Sequence, residues 1–514
     1  MQDREVPVLI VGGSLVGMTT AMLLAHHGVK PLVIESHRGT AIHPRAAMIN
    51  QRSLEILRTV GIEQIVRKKS EEQFVQDGAI VAVESLAGRE LAAHIPNLNE
   101  GVRDVSPTVR LFITQSLLEP LLRSKAEELG AELRFSTEML SFEQDSKGVT
   151  AVIRHRDTGE TERIRAKYMV AADGAHSGIR QQLGIALNGR GVLSHSVTIY
   201  FRAPVAPLLR ERNLTVILVR NPTLRGFFRI EKPFESGFLV VNTVGDPAKP
   251  NTDVSTGLTD ERCLEYLHAA FGTSEVPATI QSVMHWKATA DVAERMQSGR
   301  VFLAGDAAHV MPPYGGFGGN CGMHDAHNLA WKLAMVLKGE AGEGLLDTYE
   351  LERRPIGLFT TEQAYTRYVL REAAYLGKDG VQAQEDDLNV ELGACYRSST
   401  VLDEGGNGTC HVHPRASKGA PGTRAPHIWI DEETSTLDLF GGRFILLTDS
   451  QDWSDAAGQA PLESHVIADA RFAELYGSEA SLVRPDGFVA WRAKPGEEPS
   501  SAKLRDVYRK VTSS

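Results

Sequence analysis

The sequence predicts an α/β fold: a Rossmann-like nucleotide-binding domain, interrupted by an antiparallel sheet and followed by a small α/β unit. Three observations predict it. Residues 6–34 read as strand, glycine turn, helix and second strand. Two later apolar strands, ending near residues 172 and 304, run into Asp-Gly and Gly-Asp turns. The stretches between these turns alternate apolar and polar residues, the period of a half-buried sheet.

The first strand, 6–11, leads into Gly12-Gly13-Ser14-Leu15-Val16-Gly17 and a helical run, 18–27, closed by Gly28. A second strand, 31–34, ends at Glu35, about twenty residues after the glycines, where a carboxylate accepts hydrogen bonds from the two hydroxyls of an adenosine ribose. Gly12 serves the tight turn and Gly17 the close packing of helix on strand, while the helix N-terminus points free N–H groups at a pyrophosphate. Ser14 stands where glycine is usual and is the smallest polar substitute. This motif binds an ADP moiety and does not separate NAD from FAD.

The strand ending at Ala172 runs into Asp173-Gly174-Ala175-His176-Ser177-Gly178-Ile179-Arg180, a sharp turn that opens another helix. Strand 301–304 ends in Gly305-Asp306-Ala307-Ala308-His309, placing an aspartate at a strand's carboxyl end, where open α/β sheets bind ligands. Met311-Pro312-Pro313-Tyr314 is a rigid turn, and Gly315-Gly316-Phe317-Gly318-Gly319-Asn320 lets backbone lie against a flat ligand. The spacing of Leu329, Leu333, Val336 and Leu337, closed by Gly339, predicts a helix over 325–338. Its amino end carries about half a positive charge. Beside the pyrimidine edge of an isoalloxazine, that charge would stabilise the anionic reduced flavin.

In order and spacing, the glycine fingerprint with Glu35, the Asp173-Gly174 segment and Gly305-Asp306 through Asn320 resemble the three motifs of the group A FAD-dependent aromatic hydroxylases, the para-hydroxybenzoate hydroxylase family. The resemblance spans roughly residues 6–395. It implies bound FAD, with Gly12, Gly13, Ser14, Leu15, Val16, Gly17 and Glu35 at its ADP half. It further implies Arg45 over the cofactor, Gln115 at the ribityl or pyrophosphate region, and Asp173 serving both FAD and nicotinamide. Asp306 would meet the ribityl hydroxyls and Pro313 the flavin edge, with Gly305, Gly318, Gly319 and Asn320 completing the contacts. The implied chemistry is hydride transfer from NADH or NADPH, addition of O2 at flavin C4a, and transfer of the distal oxygen of the hydroperoxide to an activated aromatic ring.

Residues 74–100 and 186–284 resemble that family's antiparallel substrate domain, so the FAD-binding domain is expected in three pieces, 1–73, 101–185 and 285–395. Candidate substrate-pocket residues are Tyr200 and Arg202 on one strand, Arg225 on another, His285 near the return to the FAD domain, and Pro313 with Tyr314. Each also reads as a core tyrosine or a solvated cation, and no catalytic base is assigned. Residues 396–422 read as a linker. Residues 423–514, with strands expected at 427–430, 443–448 and 481–491 and the turn Arg484-Pro485-Asp486-Gly487, resemble the thioredoxin-like domain of phenol hydroxylases and antibiotic-tailoring hydroxylases. Lacking Cys-x-x-Cys, this unit is assigned structure or homodimerisation rather than redox work.

Composition narrows the partners. A net charge of −10 with scattered Lys and Arg gives no basic field for nucleic acid. No apolar run approaches the roughly 18 residues of a membrane helix, so a cytoplasmic protein is expected. Four cysteines without paired spacing argue against a disulfide scaffold or zinc site, and Cys410-His411-Val412-His413 lacks a matching pair, so no metal is expected. The partners expected are a small aromatic substrate and O2. A flavin halogenase would need a Trp-x-Trp segment, which is absent; a plain NAD-dependent dehydrogenase would leave residues 305–320 unexplained. Secondary-metabolite tailoring is the leading role; phenol catabolism and a non-catalytic flavin-binding protein remain the alternatives.

Overall fold

The computed structural model describes residues 3–42, 47–402, 404–405, 408–460 and 462–512. Its flavin-type unit is built on a parallel sheet in the order Val301–Leu303, Thr161–Ala171, Asp3–Val11, Leu32–Ile34, Glu132–Arg134. Strands Thr137–Asp145 and Gly148–His155 and the short Gln297–Ser298 extend it antiparallel. Strands buried on both faces read as unbroken apolar runs, as Val8, Leu9 and Ile10 do here. Helix Leu15–His26 is apolar on nearly every side because the sheet, helix Gln115–Glu128 and helix Phe317–Leu337 enclose it.

The second sheet has eight strands in the order His309–Val310, Thr279–Ala293, Leu187–Arg202, Ser236–Val244, Leu224–Glu231, Leu214–Arg220, Ala79–Val83, Glu90–Ile95. All its pairs are antiparallel except Ala79–Val83 with Leu214–Arg220. Period-two alternation divides its side chains. Val197, Ile199, Phe201, Phe228 and Leu239 pack under helix Asp260–Phe271. Tyr200, Phe227, Phe238, Val240, Met284 and Trp286 face Met48 and Phe112 of the flavin-type unit. Strand Thr279–Ala293 runs past residue 284, so the sheet continues into the segment assigned to the FAD domain.

The carboxyl-terminal sheet, in the order Glu463–Val466, Ile445–Thr448, Ala480–Val483, Val489–Arg492, is covered on one face by helices Gln451–Gln459 and Ser501–Thr512 and on the other by Phe472 and Tyr476. The strand expected at 427–430 does not form; that stretch makes only an isolated bridge, Trp429 to Ser435. The single run 481–491 is a hairpin folded at Arg484-Pro485-Asp486-Gly487.

The expected linker is tied down at both ends. Cys395 and Tyr396 donate backbone N–H groups to Cys410 and Gly422, and Tyr396, Thr400 and Val401 are buried. Polar and glycine-rich composition there serves turns packed on helix Thr348–Arg371 rather than a flexible tether. Among the described residues, no helix is long and apolar enough to cross a membrane.

Candidate functional site

The three motifs meet at the carboxyl ends of three adjacent parallel strands. Gly12 has φ +104°, and a Cβ there would lie 2.2 Å from the Ala172 carbonyl oxygen, directly before Asp173. A Cβ on Gly17 would lie 1.8 Å from the Gly12 oxygen. Gly305, φ +62°, presses on Val16, and Gly322 of helix Phe317–Leu337 comes within 3.0 Å of the Gly305 Cα at its would-be Cβ. Absent side chains thus let the first turn, the Asp173 turn and the Gly305 turn share one corner.

Glu35 ends the second strand with one oxygen 2.7 Å from the Gly13 N–H and the other 2.8 Å from the His37 N–H. Burial pushes its carboxyl up, but the His37 and Gly13 donors outweigh this and hold it below the usual range. The Ser14 hydroxyl donates to Glu119 at 2.6 Å and accepts from Gln115 Nε2 at 2.7 Å, so the departure from glycine ties the first turn to helix Gln115–Glu128. Glu119 is fully buried and also takes the Ala41 N–H. Sequence reasoning missed it, since an acid four residues after Gln115 looks like an exposed helix charge. Leu15 and Gln115 line a small pocket with Met48, Ile113, Asn320 and Met323. Arg45 lies outside the described residues.

Asp173 keeps one oxygen buried with no hydrogen bond, and burial pushes its carboxyl up against the Ser177 hydroxyl and Ile179 N–H. Asp306 is exposed just beyond strand Val301–Leu303, and Pro313 is exposed on the loop that follows. The helix expected from residue 325 begins eight residues earlier, at Phe317, with Gly316 at φ +67° as its N-cap. Gly318 and Gly319 are therefore its first turn, and the free N–H groups lie there. The apolar periodicity used to place the start fails over Gly318-Gly319-Asn320 because this turn needs small residues. A Cβ on Gly318 would meet nothing closer than Met311 Cγ at 3.6 Å, so protein packing leaves that side open. Asn320 is buried and pins the turn, accepting from the Asn50 N–H at 2.9 Å and donating to the Gly316 carbonyl at 2.7 Å.

Under the Gly305 turn, Asp325 accepts the Gly305 N–H at 3.0 Å, His309 Nε2 at 2.7 Å and Arg353 Nε at 2.8 Å. His309, Cys321 and Asp325 offer ligand atoms within 4.8 Å of one another. The Arg353 guanidinium already supplies the cation at that carboxylate, which makes this a brace for the turn rather than a metal centre.

The substrate candidates separate. Tyr200 is buried on the side of the eight-stranded sheet that meets Met48 and Phe112, against Phe238. Tyr314 is buried beside Phe227 and Tyr368, and its hydroxyl accepts from Asn242 Nδ2 at 3.1 Å. Arg225, on the same face as Phe227, has Nε 3.7 Å from Glu372. Two expectations fail. His285 shares the parity of Val283, which packs under the covering helix, and is exposed there; Arg202 is exposed at its strand's end. Beside Arg225, Arg220 and Glu372 complete a polar corner the sequence did not signal, because Glu372 follows Arg371 at the end of a long helix and reads as a solvated charge.

The group the motifs call for fits this corner. A buried acceptor without a partner at Asp173, an open first helical turn at Gly318 and an acid positioned beyond the first turn suit a long, phosphate-bearing cofactor. The family model described as FAD binding domain matches residues 5–364, and the model described as aromatic-ring hydroxylase, C-terminal, matches residues 418–514. The chain belongs to the FAD-dependent aromatic-ring hydroxylases. This hydroxylase is 50% identical to the 4-methyl-5-nitrocatechol 5-monooxygenase of a Burkholderia species, over 99% of this chain and 98% of the relative. It is 35% identical to aklavinone 12-hydroxylase RdmE of Streptomyces purpurascens, over 99% of each chain. The crystal structure of a ternary complex of aklavinone-11 hydroxylase with FAD and aklavinone matches it with a TM-score of 0.90 at 35% identity, covering all of both chains. The hydroxylase is thus a flavoprotein monooxygenase, with the fold class expected from its motifs.

Proposed function

We propose that this hydroxylase adds one oxygen atom to a single aromatic ring bearing a hydroxyl group, a phenol or catechol, using FAD, reduced nicotinamide and O2. The observation that carries this reading is the polar corner of Arg220, Arg225, Tyr314 and Glu372 beside the aromatic cluster of Tyr200, Phe227, Phe238 and Trp286 on the same side of the eight-stranded sheet. Large side chains crowd that side, among them Tyr200, Phe227, Phe238, Met284 and Trp286, which suits a compact ring better than a polycycle. The 50% identity to a nitrocatechol monooxygenase points the same way.

FAD supplies the electron transfer and oxygen activation that no side chain performs. The chain's own work is to hold it and to place the ring. Gly12, Gly13 and the first turn of helix Leu15–His26 are assigned to the pyrophosphate, Glu35 to the ribose, and Asp173, Asp306, Pro313 and Gly318 to Asn320 to the remainder. Asp173's unbonded oxygen is an acceptor for a ligand N–H or O–H. Tyr314, packed on Phe227 and Tyr368, closes the ring site against water.

A second reading, tailoring of a polycyclic polyketide, is favoured by the match to the aklavinone complex. Nicotinamide oxidation coupled to product formation, run with catechol, 4-nitrocatechol and tetracyclic quinones, separates the two. The expected result is kcat/KM at least about tenfold higher for a single ring, the scale on which pocket fit discriminates. A preference for the tetracycles would reverse the assignment.

A further inference from the structure

Glu372 is the C-cap of helix Thr348–Arg371 and is 3% exposed, yet neither carboxylate oxygen has a donor in full bonding geometry; among hydroxyls, only that of Tyr314 stands near enough to ease its charge. The nearest cation, Arg225 Nε, is 3.7 Å away, beyond hydrogen-bonding distance. The Nε atoms of Arg220 and Arg225 and the Tyr375 hydroxyl are also buried without partners. Buried polar groups are nearly always satisfied, so a carboxylate, two guanidinium nitrogens and a phenol left open around one point mark a place where a polar ligand belongs. The Tyr314 hydroxyl, already accepting from Asn242, joins this point to the loop that opens the flavin-side helix.

We propose that Glu372 is the base that takes the proton from a ring hydroxyl of the bound substrate, with Arg220 and Arg225 flanking the phenolate that results. This rests on the phenol or catechol reading above. The ring O–H bond breaks, its proton passes to a Glu372 oxygen, and the electron pair stays on the ring oxygen, enriching the ring for attack. No oxidant is consumed, and the proton leaves to solvent when the product departs. Two free acceptors on one carboxylate match the two adjacent donors of a catechol. The device lets the enzyme use rings whose hydroxyl is neutral at working pH.

The groups facing Glu372 are Arg220 and Arg225 from the sheet, Tyr314 from the loop, and Tyr368 and Tyr375 from its own helix and the turn beyond; Arg371 and His94 stand behind Arg220. Burial pushes Glu372 up to about 7 against the pull of Arg225, Arg220 and the Tyr314 hydroxyl, the range of a base that works near neutrality.

The test compares wild type and Glu372→Gln, both loaded with FAD, on catechol, whose hydroxyls are weakly acidic, and on 4-nitrocatechol, which ionises readily. Expected is a loss of about 100-fold or more in kcat on catechol but only about fivefold on 4-nitrocatechol, with the catechol rate recovering as pH rises. Equal losses on both rings, or none, would overturn the assignment while leaving the functional reading intact. A wild type that oxidises no hydroxyarene sinks the functional reading, and this assignment with it. Should Glu372→Gln not fold, Arg225→Gln serves: losing that cation should move the rising limb of the wild-type pH profile upward by about half a unit to one unit. No movement would count against the proposal.

Discussion

Two buried glutamates stand twenty residues apart on and just beyond one helix, and their surroundings could hardly differ more. Glu352 accepts from Arg484 at 2.6 and 2.9 Å, Lys332 at 2.7 Å, Asn328 at 2.7 Å, Ser398 at 2.6 Å and Thr400 at 2.8 Å. Glu372 has no donor in full bonding geometry, only the Tyr314 hydroxyl close by. The first joins the flavin-type unit to the carboxyl-terminal hairpin and has every lone pair occupied. The second leaves its lone pairs open. Saturation is what a structural charge needs to survive burial; an open charge is a liability that function retains.

Breaking the saturated end should have the largest effect. Glu352→Ala leaves Arg484 and Lys332 buried without their partner and is expected to lower unfolding stability by about 3–5 kcal/mol in denaturant titration, with FAD released early. The open end should behave oppositely. Glu372 is raised to about 7, so between an ordinary glutamate value and that point the folded state holds the extra proton, and stability falls as pH rises through the window. Glu372→Gln should abolish that slope and stabilise the protein at pH 8 by about 1–3 kcal/mol, read from melting curves. A destabilised Glu372→Gln would mean that the two glutamates do the same job.

Acid should reveal the saturated end again. Burial pushes Glu352 up, but Arg484 and Lys332 hold it well below 4.5, so its contribution is complete above that value and is lost as pH falls below it. Urea midpoints measured from pH 6 down to pH 3 should therefore drop for wild type more steeply than for a Glu352→Gln variant. A smaller effect is expected from Tyr314→Phe, about 1 kcal/mol of stability for the bond with Asn242, together with a raised KM. Smallest of all, Arg202→Ala and His285→Ala should each stay within about 0.5 kcal/mol and leave turnover unchanged, since both side chains are exposed.

The turns assigned to the cofactor were legible in the chain because backbone geometry dictates their residue types. Gly12 and Gly17 have no room for a Cβ, and Glu35 must follow the second strand at a fixed distance. The polar corner was not. Tyr314 was found because it adjoins a proline pair, and Arg225 because it sits on an alternating strand. Glu372 and Arg220 came together only through the packing of a helix end on a sheet, which no local spacing encodes. His285 misled for a related reason: alternation gives two faces but not which one meets the cofactor. Glu119, too, is an acid whose burial depends on a contact with Ser14, far away in sequence.

Helix Phe317–Leu337 begins at the turn offered to the cofactor and, near its other end, sets Trp331 and Met335 into the core of the carboxyl-terminal domain. At roughly 1.5 Å per residue it is a stiff rod about 30 Å long. Held by Asn320 and Gly322 near one end and by Trp331 and Met335 near the other, the rod couples the carboxyl-terminal core to its own first turn. If that turn holds the cofactor as proposed, trimming the carboxyl-terminal domain for a smaller catalyst is expected to loosen the cofactor seat as well, which FAD retention by the shortened chain would measure.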